Sequence, residues 1–470
     1  MRVVLIVFDT LRADHVGCYG YPKPTTPNLD ALAHEGALFT NCYATDVPTI
    51  PSFTAMLTGK RGITTGVVSH DHPESIITPE TRTLPELLAK AGVLTGGVSS
   101  LYAFKRWIAK GFTHFMQPDQ RTPATHIAAN QVNELALPWM RSHARRDFLL
   151  MLHYWDPHSP YSKTPQGYIR RFRPDGDPRD PSNSSLDGLR ALELMYFYAW
   201  DTAAPQLQEG ITDLDYLVAE YDGGISCADD YLGQLIEAMA DIGLLEDTMV
   251  VLTSDHGEAF GEHGVYCDHM DAYEQTARVP LVVWHPGRVG VRAADALVQS
   301  IDLAPTILEA FGVPVPGDLD GRSLWPVLQG QSETHHDLVV TNQGLWSAQR
   351  TMRTEKWTFM QTLSQGMLHE RPAAELFDRV ADRAETTNLL DVQPEVARHM
   401  QERLAAWLEE RLQGRDDPLR LAAESSFAPE MVRSKLAERR KAGEWPPKSL
   451  SRNGNVRSPG GLRHGFRDRL

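Results

Sequence analysis

Asp255 and His256 stand side by side in the stretch SDHGEAFGEHG, so a carboxylate and an imidazole can turn toward one cation. Gly257 after them lets the chain fold tightly. Mixed oxygen and nitrogen ligation suits Zn or Mn and is less natural for Ca or Mg. The competing role for the pair is an Asp that caps the next helix with a solvated His beside it. Asp9 in VFDTLRAD ends an apolar run, where a carboxylate is costly unless it is paired or metal-bound. Its alternatives are an N-cap or a salt bridge to Arg12. Thr49 in VPTIPSFTAMLTG adds a hydroxyl. Threonine is a poor nucleophile at neutral pH, but a coordinated cation would lower its pKa and hold it in line with a substrate. Pro48 and Pro51 fix the loop, and the run that follows reads as a helix whose first N–H groups favour an anion. An isolated T-x-P-S would be a plain N-cap.

Such residues need strand ends to carry them. RVVLIVF, FLLMLHYW, TMVVLTS and PLVVW read as strands, and PNLDALAHEGA, LPELLAKAG and LGQLIEAMADIG as helices. Apolar strands alternating with amphipathic helices predict an α/β fold with a mostly parallel sheet covered on both faces. Ligands in such folds sit beyond the carboxyl ends of the strands. Asp9, the segment His153–His158 and Asp255–His256 all fall there.

The chain divides into a catalytic α/β unit over 1–335, a subdomain with a small antiparallel sheet and a helix over 336–413, and a basic extension over 414–470. The extension is expected to be extended or disordered, or to embrace a second copy in a homo-oligomer. Residues 172–204 read as an insertion, and the loops 100–125 and 160–205 as pocket walls. A net charge of -15 argues against nucleic acid as the main partner but not against a small anionic ester, because a bound cation reverses the local field. No apolar run is long enough to span a bilayer, and the start lacks a secretory pattern. Cys18, Cys42, Cys227 and Cys267 are too scattered for a disulfide framework. The expected setting is therefore cytoplasmic, with no membrane partner. Asp222 and Asp229 are expected to be solvated or capping, whereas His15, His34, His70 and His72 show no partner pattern.

DTLRADHVGCYGYPKPTTPNLDALAHEGALFTNCYA, TIPSFTAMLTG, SDHGEAFGEHG, YEQTARVPLVVWHPG, SIDLAPTILEAFGVP and ELFDRVADRAETTNLL occur in this order. The chain thereby resembles the sulfatase family of the alkaline phosphatase superfamily. The likeness implies an α/β sandwich with a metal-dependent site at the strand ends and a small C-terminal subdomain. Asp9, Thr49, Asp255 and His256 take the metal positions, His256 where the family has Asn or His. His158 in DPHSPY resembles the histidine that contacts the substrate's ester group. His269, four residues before Tyr273, replaces a substrate-binding lysine. It could bind a phosphoryl oxygen, protonate the leaving group or ligate a second metal. His153 and Asp156 are candidates for that second metal. Arg12, His153 and His263 are candidates for substrate contact, Arg12 alternatively for orienting Asp9. Asp302 matches a position that caps the following helix.

The departures change the expected chemistry. Family members carry Cys or Ser, converted to formylglycine, in a C/S-x-P-x-R pattern, whereas this chain has Thr49 and Phe53. The family's second N-terminal aspartate is replaced by Thr10. Threonine cannot yield the aldehyde, so no formylglycine is expected. A hydrated aldehyde expels sulfate by reforming C=O, but a threonine sulfate lacks that exit. A threonine phosphate can be hydrolysed by metal-assisted attack at phosphorus. The expected activity is metal-dependent hydrolysis of a phosphodiester or phosphonate monoester through phospho-threonine, with Zn or Mn. The alternatives are a sulfatase working without formylglycine, a headgroup transferase and a degenerate binding scaffold.

Overall fold

The computed structural model describes residues 1–470 apart from 71–74, 118–126, 291, 367–370, 426–427 and 447–470. His72 and part of the 100–125 wall lie outside the described residues. An eight-stranded sheet runs in the order Ala293–Gln299, Ala37–Tyr43, Leu281–Trp284, Thr248–Ser254, Arg2–Phe8, Phe148–Tyr154, Leu94–Val98, His114–Met116. Leu281–Trp284 is antiparallel to both its neighbours, and the other pairings are parallel. The fold is thus α/β with a mixed, mostly parallel sheet.

Its central strands are apolar throughout because both faces are covered. Val4, Ile6 and Phe8 pack with Leu150, Leu152 and Leu252 on one face, whereas Val3, Leu5 and Val7 pack with Leu149, Met151 and Val251 on the other. Each such burial stabilises by about 1.5–3 kcal/mol, so a charge at Leu5 would break both the layer and the register of the strand ends. That register matters: Phe8 pairs with both Tyr154 and Ser254, so three strands end level with one another.

Against this sheet lies the helix Leu214–Asp241, of which the sequence reading caught only the C-terminal third. Gly223 and Gly224 interrupt its periodicity for a packing reason. A Cβ at Gly223 would stand 2.9 Å from the Ile169 backbone, and one at Gly224 would stand 2.7 Å from the Asp156 carbonyl.

The second sheet, in the order Ala374–Asp378, Trp357–Ser364, Ser347–Arg353, Val339–Leu345, Asp46–Val47, takes its last strand from the N-terminal region. The helix Pro394–Leu412 covers it with Ala397, Met400, Leu404 and Trp407. Beyond it the extension departs from expectation. Residues 418–425 and 428–441 are helices, and they fold back on this chain. Leu419 and Ala422 pack on Val68 and Ala348. Trp445 packs among Tyr196, Phe197 and Trp200, and Arg440 pairs with Glu193. Among the described residues, Lys435 and Arg439 meet Asp201 and Arg440 meets Glu193 on the 193–201 insertion. Among the described residues no helix is long and apolar enough to cross a membrane, and all four cysteines are free.

Candidate active site

Asp9 follows Arg2–Phe8 and Asp255 follows Thr248–Ser254, neighbouring parallel strands whose spacing of about 4.8 Å brings the two carboxylates together. Thr10, at φ 55, turns the chain so that its N–H donates to Asp255 Oδ1 at 3.1 Å. Leu11 N–H donates to Ser254 Oγ at 2.9 Å, and Ser254 Oγ donates to the His256 carbonyl at 2.6 Å. Gly257 is required here, because a Cβ would stand 2.0 Å from the Gln275 carbonyl oxygen.

Asp9, Asp255 and His256 are fully buried, and their candidate ligand atoms lie within 4.8 Å of one another. Asp9 Oδ1 and Asp255 Oδ2 have no hydrogen-bond partner. Burial, then the charges of Asp255 and Glu258, push the Asp9 carboxyl well above its ordinary range, and burial raises Asp255 too. Two buried carboxylates that repel each other fit a divalent cation between them. His256 supports it: Nδ1 donates to the Gly257 carbonyl at 2.9 Å, so the Nε2 lone pair is left for a ligand.

Thr49 opens the helix Thr49–Thr58 and is 2% exposed. Its Oγ1 lies 3.1 Å from His256 Nε2. Ser52, one turn on, donates to the Asp255 carbonyl at 2.7 Å and fastens the helix to the strand end. The hydroxyl therefore stands at the carboxylate pair. Phe53, where an arginine was the pattern, packs its ring edge on His153 at 4.8 Å.

Of the remaining residues read from sequence, His158 and His269 come to the site, their rings 5.6 Å apart and His269 4.1 Å from His256. Burial, then His256, His158 and His70, keep His269 well below the usual imidazole range. The others are engaged differently. Arg12 holds Asp14 and Glu262 at 2.7–2.9 Å and donates to the Glu258 carbonyl, which braces the loop and leaves no fork for a substrate. His153 donates from Nε2 to Asp9 Oδ2 at 2.9 Å and, being fully buried, orients that carboxylate instead of meeting substrate. His263 stacks on Tyr273 at 3.6 Å. Asp156 accepts the Ala129 N–H at 2.7 Å, and so caps the helix Ala129–His143 instead of holding a second metal. Asp222 pairs with His15, Tyr21 and Lys23, and Asp229 caps Pro27–Glu35.

Sequence reading missed Glu258 and named His70 only as a histidine with no partner pattern. Glu258 Oε1 lies 3.5 Å from His269 Nδ1, and Oε2 accepts from Tyr161 at 3.1 Å. Burial, then His256 and Lys105, hold His70 down to about 3. Glu258 was signalled by its place two residues after His256, but nothing local marked His70.

The sequence matches the family model described as Sulfatase over residues 2–313, and that of N-sulphoglucosamine sulphohydrolase, C-terminal, over residues 261–413. It is 25% identical over 408 residues to an N-acetylglucosamine-6-O-sulfatase of Bacteroides thetaiotaomicron, covering 72% of each chain. It is 27% identical over 402 residues to the multifunctional alkaline phosphatase superfamily protein PehA of Trinickia caryophylli, covering 70% of this chain and 77% of that one. The structure of a phosphonate monoester hydrolase of Agrobacterium radiobacter superposes with a TM-score of 0.68 at 20% identity, over 87% of this chain and 96% of that one.

Proposed function

The chain belongs to the sulfatase family, and on that premise we propose that it hydrolyses a phosphodiester or phosphonate monoester with Thr49 as nucleophile and Zn or Mn held by Asp9, Asp255 and His256. The observation that carries this is the identity and place of Thr49, 3.1 Å from His256 Nε2 at the buried carboxylate pair. When bound, the cation supplies Lewis-acid polarisation and a lowered hydroxyl pKa.

The chain's own groups do the rest. In the first turn of Thr49–Thr58, where Pro51 has no N–H and Ser52 N–H donates to the Pro48 carbonyl, the N–H groups of Thr49 and Ile50 would meet the anionic substrate. Thr49 Oγ forms the bond to phosphorus as the bond to the leaving-group oxygen breaks. His269, kept neutral by burial, would take up the proton that the Thr49 hydroxyl gives up and pass it to that oxygen, with His158 beside it. Water then attacks phosphorus, the bond from phosphorus to Thr49 Oγ breaks, and a proton from the water restores the Thr49 hydroxyl. Tyr161 donates to Glu258, whose other oxygen lies 3.5 Å from His269 Nδ1. Phosphorus is favoured over sulfur because a threonine ester has no carbonyl-forming exit. The substrate is a small anionic ester, and the free cysteines are compatible with a cytoplasmic setting.

Sulfate hydrolysis without formylglycine is the second reading, and the sulfatase names among the relatives favour it. Hydrolysis of four chromogenic esters by the purified, metal-loaded protein separates the two. A phosphate monoester, a phosphodiester, a phosphonate monoester and a sulfate are compared by kcat/KM. Dominant phosphodiester or phosphonate cleavage is expected, and dominant sulfate cleavage overturns the role given to Thr49.

A further inference from the structure

A second group of ligand atoms lies away from the site described above. Asp302 stands at the start of Leu303–Ala310, and His335 and His336 lie in the segment that leads into the second sheet. Successive residues of an extended chain ordinarily point to opposite sides. Here His336 Nε2 lies 2.9 Å and His335 Nε2 3.4 Å from the same oxygen, Asp302 Oδ2. The rings are 4.5 Å apart at 74°, so two lone pairs can converge without stacking. The Asp302 side chain is fully buried, and those of His335 and His336 are 6% and 9% exposed.

Hydrogen bonding leaves this cluster unfinished. Asp302 already accepts the backbone N–H groups of Gln299 and Arg322, each at 2.9 Å, and His336 Nε2. His335 Nε2 is buried and has no hydrogen-bond partner, although it lies against the carboxylate. An imidazole in that state has its ring nitrogen where a ligand would be.

We propose that Asp302, His335 and His336 form a structural zinc site that clips the segment ahead of the second sheet to the helix Leu303–Ala310. Ligand atoms around a tetrahedral zinc at about 2.0–2.1 Å lie about 3.3 Å apart, close to the spacings found here. One carboxylate oxygen and two imidazole nitrogens are an apt set for zinc, with water as the fourth ligand. The clip closes a loop between residues 34 apart, which lowers the entropy of the unfolded chain. Leu303–Ala310 and Thr49–Thr58 share one core through Leu303, Ala304, Ile50 and Met56.

Arg322 is the competitor. Its Nη2 lies 2.8 Å from His336 Nδ1, and it also meets the His335 carbonyl. A guanidinium only donates, so it holds the His336 proton on Nε2. Zinc at Nε2 requires that proton to move to Nδ1 and the exposed Arg322 side chain to swing into solvent.

The test is zinc stoichiometry of the full chain by elemental analysis after equilibration with zinc and gel filtration, compared between wild type and His335→Ala. His335→Gln serves as a second variant should His335→Ala fold poorly. Wild type is expected to hold one more zinc per chain than either variant, with unchanged ester hydrolysis and a zinc-dependent rise in thermal midpoint that the variants lack. The comparison is a difference at His335, so it stands whether or not the catalytic centre takes zinc. Equal zinc content in wild type and variant overturns the site. Arg322→Ala is expected to bind this zinc more tightly, and unchanged or weaker binding overturns the assigned geometry.

Discussion

His153 and Asp9 face each other inside the protein, Nε2 of the imidazole 2.9 Å from one carboxylate oxygen and neither side chain exposed to solvent. Ser99 Oγ lies 2.9 Å from the other ring nitrogen, so the ring is held at both ends. Asp9 Oδ2 is thereby engaged while Oδ1 stays without a partner beside Asp255 and His256. A group that aims a metal ligand is worth about 10–100-fold in affinity. His153→Ala is therefore expected to weaken divalent metal binding by that factor and to recover activity at high metal concentration. A metal titration of activity checks it, and an unshifted midpoint removes His153 from this role.

Thr49→Ala should lower kcat by at least about 10³-fold and leave metal content near that of wild type, because Asp9, Asp255 and His256 remain. Thr49→Ser keeps the hydroxyl and should keep measurable turnover. Asp255→Asn should lose metal and activity together. Single-turnover kinetics with intact-mass analysis would find the phosphorylated residue, and near-normal turnover in Thr49→Ala would end the covalent mechanism.

Removing metal should make stability steeply pH-dependent. Burial and mutual repulsion raise Asp9, and burial raises Asp255 and Glu258, when no cation is bound. A carboxyl whose folded pKa lies above its unfolded value contributes stability that is complete below about pH 4 and is lost as pH climbs through the folded pKa. The chelated protein is thus expected to melt at progressively lower temperature from pH 5 to pH 8. The loaded protein should hold its midpoint, because the cation accepts both carboxylates ionised. Scans at pH 5, 6.5 and 8 with and without chelator measure the gap, which must widen with pH.

Trp445 connects the end of the described chain to the site. It packs on Tyr196, Phe197 and Trp200, and Tyr198 hydrogen-bonds Asp268, the residue before His269. Trp445→Ala should cost about 3–5 kcal/mol of local packing. The expected kinetic signature is a raised KM with a smaller change in kcat. Equal loss of both parameters would mean general unfolding instead.

The candidate cation site was legible because chemistry and chain order coincide at Asp9, Asp255 and His256, each just past an apolar run. What could not be read was the partner of each. Arg12 reaches Glu262, His153 reaches Asp9, and Asp156 caps a helix that begins at Ala129, all through pairings that only the folded chain defines. The strand Ala37–Tyr43 was hidden because Thr40 and Asn41 break its apolar run, and Asn41 and Thr40 instead bond to the Asp295 region of the neighbouring strand. In the described part of the tail, charge alone hid two helices whose Lys435, Arg439 and Arg440 meet Asp201 and Glu193 far back in the sequence.

The two-residue strand Asp46–Val47 pairs with Asn342–Gln343 at the edge of the second sheet, and Asn342 donates to Asp46 across 296 residues of chain. Thr49 follows that strand after Pro48 alone, so its position depends on a segment made much later. At about 5–20 residues per second, ribosomes need on the order of 15–60 s to bridge that interval. A nascent chain through all that time carries its nucleophile without the strand that places it. On the proposed mechanism, catalytic competence is acquired near the end of synthesis, and a product truncated before the second sheet is expected to be inert even with Asp9 and Asp255 present.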